Sequence, residues 1–140
     1  MSSSNSHHHI LVPASTEYLS EVRGFVASYA QQLDFSDQQI QEIRLAVDEA
    51  YTNIIKHAYK YDATQKVEIN LGSDDKTFWV SLRDSGNSFD TQHYTKPDLR
   101  ERIKQKKRGG VGVYLIKELM DQVEYRKHGK KNEIIMEKKI

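Results

Sequence analysis

The sequence predicts an α+β fold, a two-layer sandwich with helices grouped beside a mostly antiparallel sheet. Three observations lead there. Two segments in the first half repeat apolar residues at helical spacing, and further on two pairs of segments have the pattern of hairpins. Between the hairpins a polar, basic stretch leads into a glycine cluster and a third helical pattern. The predicted order is β-α-α-β-β-lid-α-β-β.

His9-Ile10-Leu11-Val12 is a short β-type run ended by Pro13. Ser15 is placed to cap a helix, with Glu17 favourable in its first turn. Leu19, Val22, Val26, Tyr29 and Leu33 then recur at helical spacing until Asp34-Phe35 breaks the pattern. Ser36 and Gln39 form an S-x-x-Q capping box, and Ile40, Ile43, Val47, Ala50 and Ile54 make the apolar stripe of a second helix that fades near Tyr61-Asp62. Val67, Ile69 and Leu71 alternate with polar residues as in a half-buried strand, and Gly72-Ser73-Asp74-Asp75-Lys76 reads as a turn. Phe78, Val80 and Leu82 alternate again into Asp84, with Trp79 on the opposite face. No period is clear after Thr91 until residues 99–107, which pattern as a short, very polar helix. Residues 110–120 read as a third helix with Val113, Ile116, Leu119 and Met120 buried, and residues 122–128 and 133–139 as a final hairpin around Gly129.

With 140 residues, one domain is expected over 10–140 behind a polar segment, residues 1–9. That length buries a real core without staples. The absence of cysteine excludes disulfides, thiolate metal sites and Cys nucleophiles. Lys and Arg total 21 against 20 Asp and Glu, so no net charge points to DNA or a membrane. No apolar run approaches membrane-spanning length, and the N-terminal residues lack the apolar core of a signal peptide. A cytoplasmic protein is expected. His7-His8-His9 has the composition of a metal-binding tract, but three histidines at a polar terminus read more simply as a solvated stretch or the edge of a strand.

Three blocks carry chemistry. Glu49, Asn53 and His57 stand at i, i+4 and i+8 on one helix face, offset from the apolar stripe. A carboxylate there can orient or deprotonate an attacking hydroxyl or water, and an amide oxygen suits Mg²⁺; such pairs are also common on solvated helices. Asp84 closes an apolar strand, where it can accept a hydrogen bond from an exocyclic amine such as adenine's. Gly86 after it can take φ > 0 and let a ligand approach the backbone. The same D-x-G is also an ordinary strand-end turn. Gly109-Gly110-x-Gly112 precedes an apolar helical pattern, so its bare N–H groups can bind phosphate oxygens. It matches neither the P-loop nor the dinucleotide fingerprint. Residues 96–108 hold seven basic side chains, Lys96, Arg100, Arg102, Lys104, Lys106, Lys107 and Arg108, opposed by Asp98 and Glu101. They read as a lid that attracts polyphosphate or as a solvated surface, and Arg108 beside the glycines is the best placed to reach a phosphate. The lack of interleaved aromatics argues against nucleic acid.

In order, spacing and flanks these blocks resemble the GHKL ATPase superfamily, the Bergerat-fold ATP-binding domains. Glu49-x-x-x-Asn53 with Lys56-His57-Ala58-Tyr59 resembles the N box, Asp84-x-Gly86 with Phe89-Asp90 the G1 box, and Gly110-x-Gly112 with Leu115-Ile116 the G2 box. Leu45-Ala46-Val47-Asp48-Glu49-Ala50 and Leu119-Met120-Asp121-Gln122-Val123-Glu124 look most like the anti-sigma factor serine kinases of bacteria. One departure is Ser88, where the superfamily often has a second glycine and this branch often does not.

The resemblance implies a two-layer α/β sandwich with a mixed, mostly antiparallel sheet, three main helices and an ATP lid. It implies ATP and Mg²⁺ as ligands. Glu49 would be the general base and Asn53 the Mg²⁺ ligand. Asp84 would accept the adenine amine, with Gly86 giving the base room. Gly110 and Gly112 would supply amides to the phosphates. His57 fits the N box as a ligand contact or as a structural residue at the helix end. The implied function is a serine/threonine-protein kinase that phosphorylates a serine on an anti-sigma antagonist protein and sequesters a sigma factor, and since related kinases dimerise, the resemblance implies a homodimer. The alternative is a non-catalytic module of the same fold that uses ATP as a structural ligand. A sensor histidine kinase core is less expected, since it would need a preceding dimerising helix with a phosphoacceptor His, and gyrase-like or mismatch-repair-like ATPases would need a transducer domain.

Overall fold

The computed structural model describes residues 6–86 and 115–140. Five strands form one sheet in the order β1-β2-β3-β5-β4. They are β1 (Ser6–Pro13), β2 (Lys66–Ser73), β3 (Thr77–Asp84), β4 (Gln122–His128) and β5 (Lys131–Lys139). All four pairings are antiparallel, so the described sheet is not mixed. β1 reaches β2 through both long helices, and β5 inserts between β3 and β4, so neither long connection lays neighbouring strands parallel.

The hairpins form as their turn chemistry dictates. Between β2 and β3, Asp74 Oδ1 accepts from the N–H groups of Lys76 and Thr77, both at 2.8 Å. Between β4 and β5, Gly129 takes φ +61°, a left-handed conformation that costs glycine little. β1 begins at Ser6, earlier than its apolar run predicts. The histidines enter the sheet because their rings find partners: His7 Nε2 lies 3.1 Å from Asn70 Oδ1 and its ring 5.5 Å from that of Trp79, while His8 lies 5.4 Å from Tyr29. No group of three or more His, Cys, Asp or Glu suited to a metal ion occurs among the described residues.

Ser15 caps a 3-10 turn, Thr16–Tyr18, which leads into α1 (Leu19–Ala30). α2 (Asp37–Asn53) begins with both halves of its capping box. Gln39 N–H donates to Ser36 Oγ at 3.1 Å and Ser36 N–H donates to Gln39 Oε1 at 2.9 Å, an arrangement worth about 1 kcal/mol. α1 buries Val22, Val26 and Ala30, and α2 buries Ile40, Ile43, Ala46, Val47, Ala50 and Tyr51. They share one core with Val67, Ile69, Leu71, Phe78, Val80, Leu82, Ile134 and Met136 from the inner face of the sheet. Arg23 joins the helices by donating from Nε to both Asp48 oxygens at 2.8 Å.

Of the third predicted helix, residues 115–119 (α3) are described, with Ile116 buried; Met120 beyond it is buried too. Its end is held by Lys138, whose buried Nζ donates to Leu119 O at 2.6 Å and pairs with Glu42 of α2 at 3.0 Å. The polar helix expected at 99–107 lies outside the described residues. No helix among the described residues is long and apolar enough to cross a membrane.

Candidate functional site

The site starts where α2 ends. α2 stops at Asn53, and Ile54–Ala58 wind as a π-helix, closed by Tyr59 N–H donating to Ile54 O at 2.9 Å. Single π-turns of this kind recur at functional sites. Lys60 (φ 50°) and Tyr61 (φ 66°) then turn the chain through left-handed conformations, with Tyr61 N–H donating to Ile55 O at 2.8 Å. Asn53 is buried and Glu49 partly so, whereas His57 is exposed.

The wide turn brings the end of β3 against it. A Cβ on Gly86 would lie 2.3 Å from Ala58 O and 2.8 Å from Tyr59 Cδ1. Gly86 is therefore required by close approach. It does not adopt the positive φ that the D-x-G pattern suggests. Tyr59 completes the junction: its hydroxyl donates to Lys66 O at 2.7 Å and accepts from Ser85 N–H at 2.7 Å. Burial raises the phenol's pKa and so keeps it in the protonated form that this bridge needs.

Asp84 sits at the mouth of this junction, 7% exposed. Its Oδ1 accepts from Gly86 N–H and from Asn132 Nδ2, both at 3.0 Å, and Asn132 Nδ2 also donates to Gly86 O at 3.0 Å. Burial raises the Asp84 pKa above the usual carboxylate range, partly offset by the bonds from Asn132 and Gly86. On the other face of the same strands, Arg83 Nε donates to Glu133 Oε2 at 2.8 Å, Ser81 Oγ donates to that oxygen at 2.9 Å, and His128 Nε2 lies 2.9 Å from Oε1. Burial opposes ionisation of Glu133, but the bonds from Arg83, Ser81 and His128 outweigh it and hold the carboxyl below its usual range. The paired residues Arg83–Glu133 and Asp84–Asn132 thus clamp one end of the sheet from both faces.

The structure therefore brings Asp84 and Gly86 directly onto the end of the segment that carries Glu49 and Asn53. Arg108, Gly110 and Gly112 lie outside the described residues. Sequence reasoning missed Asn132, whose role depends on its register opposite Asp84, and the bridging part of Tyr59. A groove of about 390 Å³ on the outer sheet face, lined by Trp79, Arg83, Glu133 and His128 among others, contains none of the predicted site residues.

The raised Asp84 pKa gives a signed prediction. Ionised Asp84 lowers stability above its folded pKa, and that loss disappears below the ordinary carboxylate pKa. Asp84→Asn keeps an oxygen for both donors and removes the buried charge. Its melting temperature should exceed wild type at pH 7 to 8, with the difference shrinking on acidification, as read by thermal melts across pH.

The chain belongs to the histidine kinase-like ATPase domain family, whose model matches residues 12–138. It is 34% identical over 122 residues to the serine-protein kinase RsbW of Bacillus subtilis (strain 168), covering 84% of this chain and 76% of that one. It is 35% identical over 117 residues to the protein of the same name from Halalkalibacterium halodurans, covering 81% and 71%. Two solved structures share the fold. The RsbU and RsbW domains of Rv1364c from Mycobacterium tuberculosis align over 95% of this chain and 32% of that longer one, with TM-score 0.65 and 15% identity. The SiaB–SiaC complex from Pseudomonas aeruginosa aligns over 95% and 89%, with TM-score 0.61 and 12% identity.

Proposed function

We propose that the protein is a cytoplasmic, ATP-dependent serine/threonine-protein kinase of the anti-sigma type. It transfers the γ-phosphate of ATP to a serine of a small antagonist protein, and otherwise sequesters a sigma factor. The observation that carries this reading is the seating of Asp84-Ser85-Gly86 on the π-helical end of α2, directly after Glu49 and Asn53. The names of the relatives support the reaction class.

In this reading Asp84 accepts the adenine amine, and the close packing at Gly86 holds that acid at the pocket mouth. Glu49 takes the proton of the attacking serine hydroxyl as its oxygen bonds to phosphorus and the bond to ADP breaks. Gly110, Gly112 and Arg108 hold the phosphates, and His57 flanks the pocket. Asn53 fits Mg²⁺: it is a buried residue with an amide oxygen donor, no metal-suited acidic cluster occurs among the described residues, and Mg²⁺ is usually bound through few protein oxygens, with substrate phosphates and waters completing its shell. When bound, the ion neutralises charge on the phosphates. The protein acts as a homodimer, which sedimentation equilibrium tests.

The reaction is tested with γ-labelled ATP, Mg²⁺ and the cognate antagonist. Label should appear on an antagonist serine. ATP binding without any transfer would instead leave a regulatory binding module.

A further inference from the structure

We infer that Asn132 makes the nucleotide pocket select adenine over guanine, by committing one oxygen of Asp84 to the protein so that the carboxylate meets the base as a one-oxygen acceptor. The inference rests on the reading of Asp84 as the base-contacting acid.

An ionised carboxylate has two oxygens and about four lone-pair positions. Left free, both oxygens match the adjacent N1–H and exocyclic N–H of guanine, a bidentate pairing. Adenine offers one exocyclic N–H beside a ring acceptor and needs one oxygen. At Asp84, Oδ1 already accepts from Gly86 N–H and Asn132 Nδ2, both at 3.0 Å, which fills its two lone-pair directions. Oδ2 is the oxygen left to take the amine.

Asn132 is held in this role by its own bonds. Its second Nδ2 hydrogen goes to Gly86 O at 3.0 Å, so two bonds fix the amide plane. Flipping the amide would set its oxygen against the Asp84 carboxylate and the Gly86 carbonyl, acceptor facing acceptor, so the orientation is determined. The Asp84–Asn132 register places the amide there, and the Arg83–Glu133 ion pair on the opposite face locks that register. With both hydrogens engaged, Asn132 has no donor to offer guanine O6. Asn132 is therefore a positioning and specificity residue.

The test titrates Mg-ATP and Mg-GTP by calorimetry into wild type, Asn132→Ala, Asn132→Thr and Asp84→Ala, with circular dichroism to confirm folding. Asn132→Ala should weaken ATP about tenfold, the size expected for losing a hydrogen bond to a charged group, and narrow the ATP-to-GTP preference by a similar factor. Asn132→Thr, which keeps a hydroxyl donor, should fall between, and it carries the test if the alanine variant does not fold. An unchanged ATP-to-GTP ratio in a folded Asn132 variant, with Asp84→Ala losing ATP, overturns the role of Asn132 alone. ATP binding unimpaired in Asp84→Ala overturns the adenine reading and this inference with it.

Discussion

Glu49→Gln should lower phosphoryl transfer by about 10²- to 10⁴-fold, the range for loss of a general base, while ATP affinity stays at the wild-type value. The substitution keeps size and polarity on α2 and removes only the ability to take a proton. Glu49 is partly buried one helical turn before Asn53, so its replacement leaves the buried contacts of α2 intact. Phosphoryl transfer depends mostly on positioning and electrostatics, which places the expected loss toward the lower end of that range. Single-turnover transfer to the antagonist, measured beside nucleotide titration, separates the two effects. Wild-type transfer by the variant would remove Glu49 from the chemistry.

The second large effect is structural. Gly86→Ala puts a Cβ 2.3 Å from Ala58 O and 2.6 Å from its carbon, both backbone atoms that cannot rotate away. Overpacking of this kind costs about 3 kcal/mol, or roughly 10 °C in melting temperature for a domain of this size. Nucleotide affinity should fall with it, because relieving the clash moves Asp84 away from α2. Gly24→Ala is the control: nothing lies within 4 Å of its Cβ, and in the interior of α1 alanine should stabilise by about 0.5–1 kcal/mol. Equal melting temperatures for wild type and Gly86→Ala would mean that the junction yields freely.

Much of this architecture was readable from local pattern. Ser36 and Gln39 announce the start of α2, and the alternation of Val67, Ile69 and Leu71 announces β2, because capping and side-chain period are properties of a few consecutive residues. The π-turn was not readable: Ile54 and Ile55 are both buried, so the apolar pattern runs on without marking the change of winding. β1 was foreshortened because histidines supply its first turns of pairing, held by Trp79 and Asn70 from distant strands. At the candidate site, Glu49, Asn53, Asp84 and Gly86 stand in short motifs, which a local window can read. Asn132 stands in none. Its importance follows from the insertion of β5 beside β3, a choice of sheet order that no local window contains.

That insertion has a consequence for synthesis. β3, which carries Asp84, is synthesised before its second neighbour, β5, the last described strand to leave the ribosome. Chains emerge N-terminus first, so until residues 131–139 appear the inner edge of β3 stays open and Asp84 has no Asn132 to orient it. Asp84 is oriented by the final hairpin, so a nascent or shortened chain that holds every residue of α2 still lacks the Asp84–Asn132 pair.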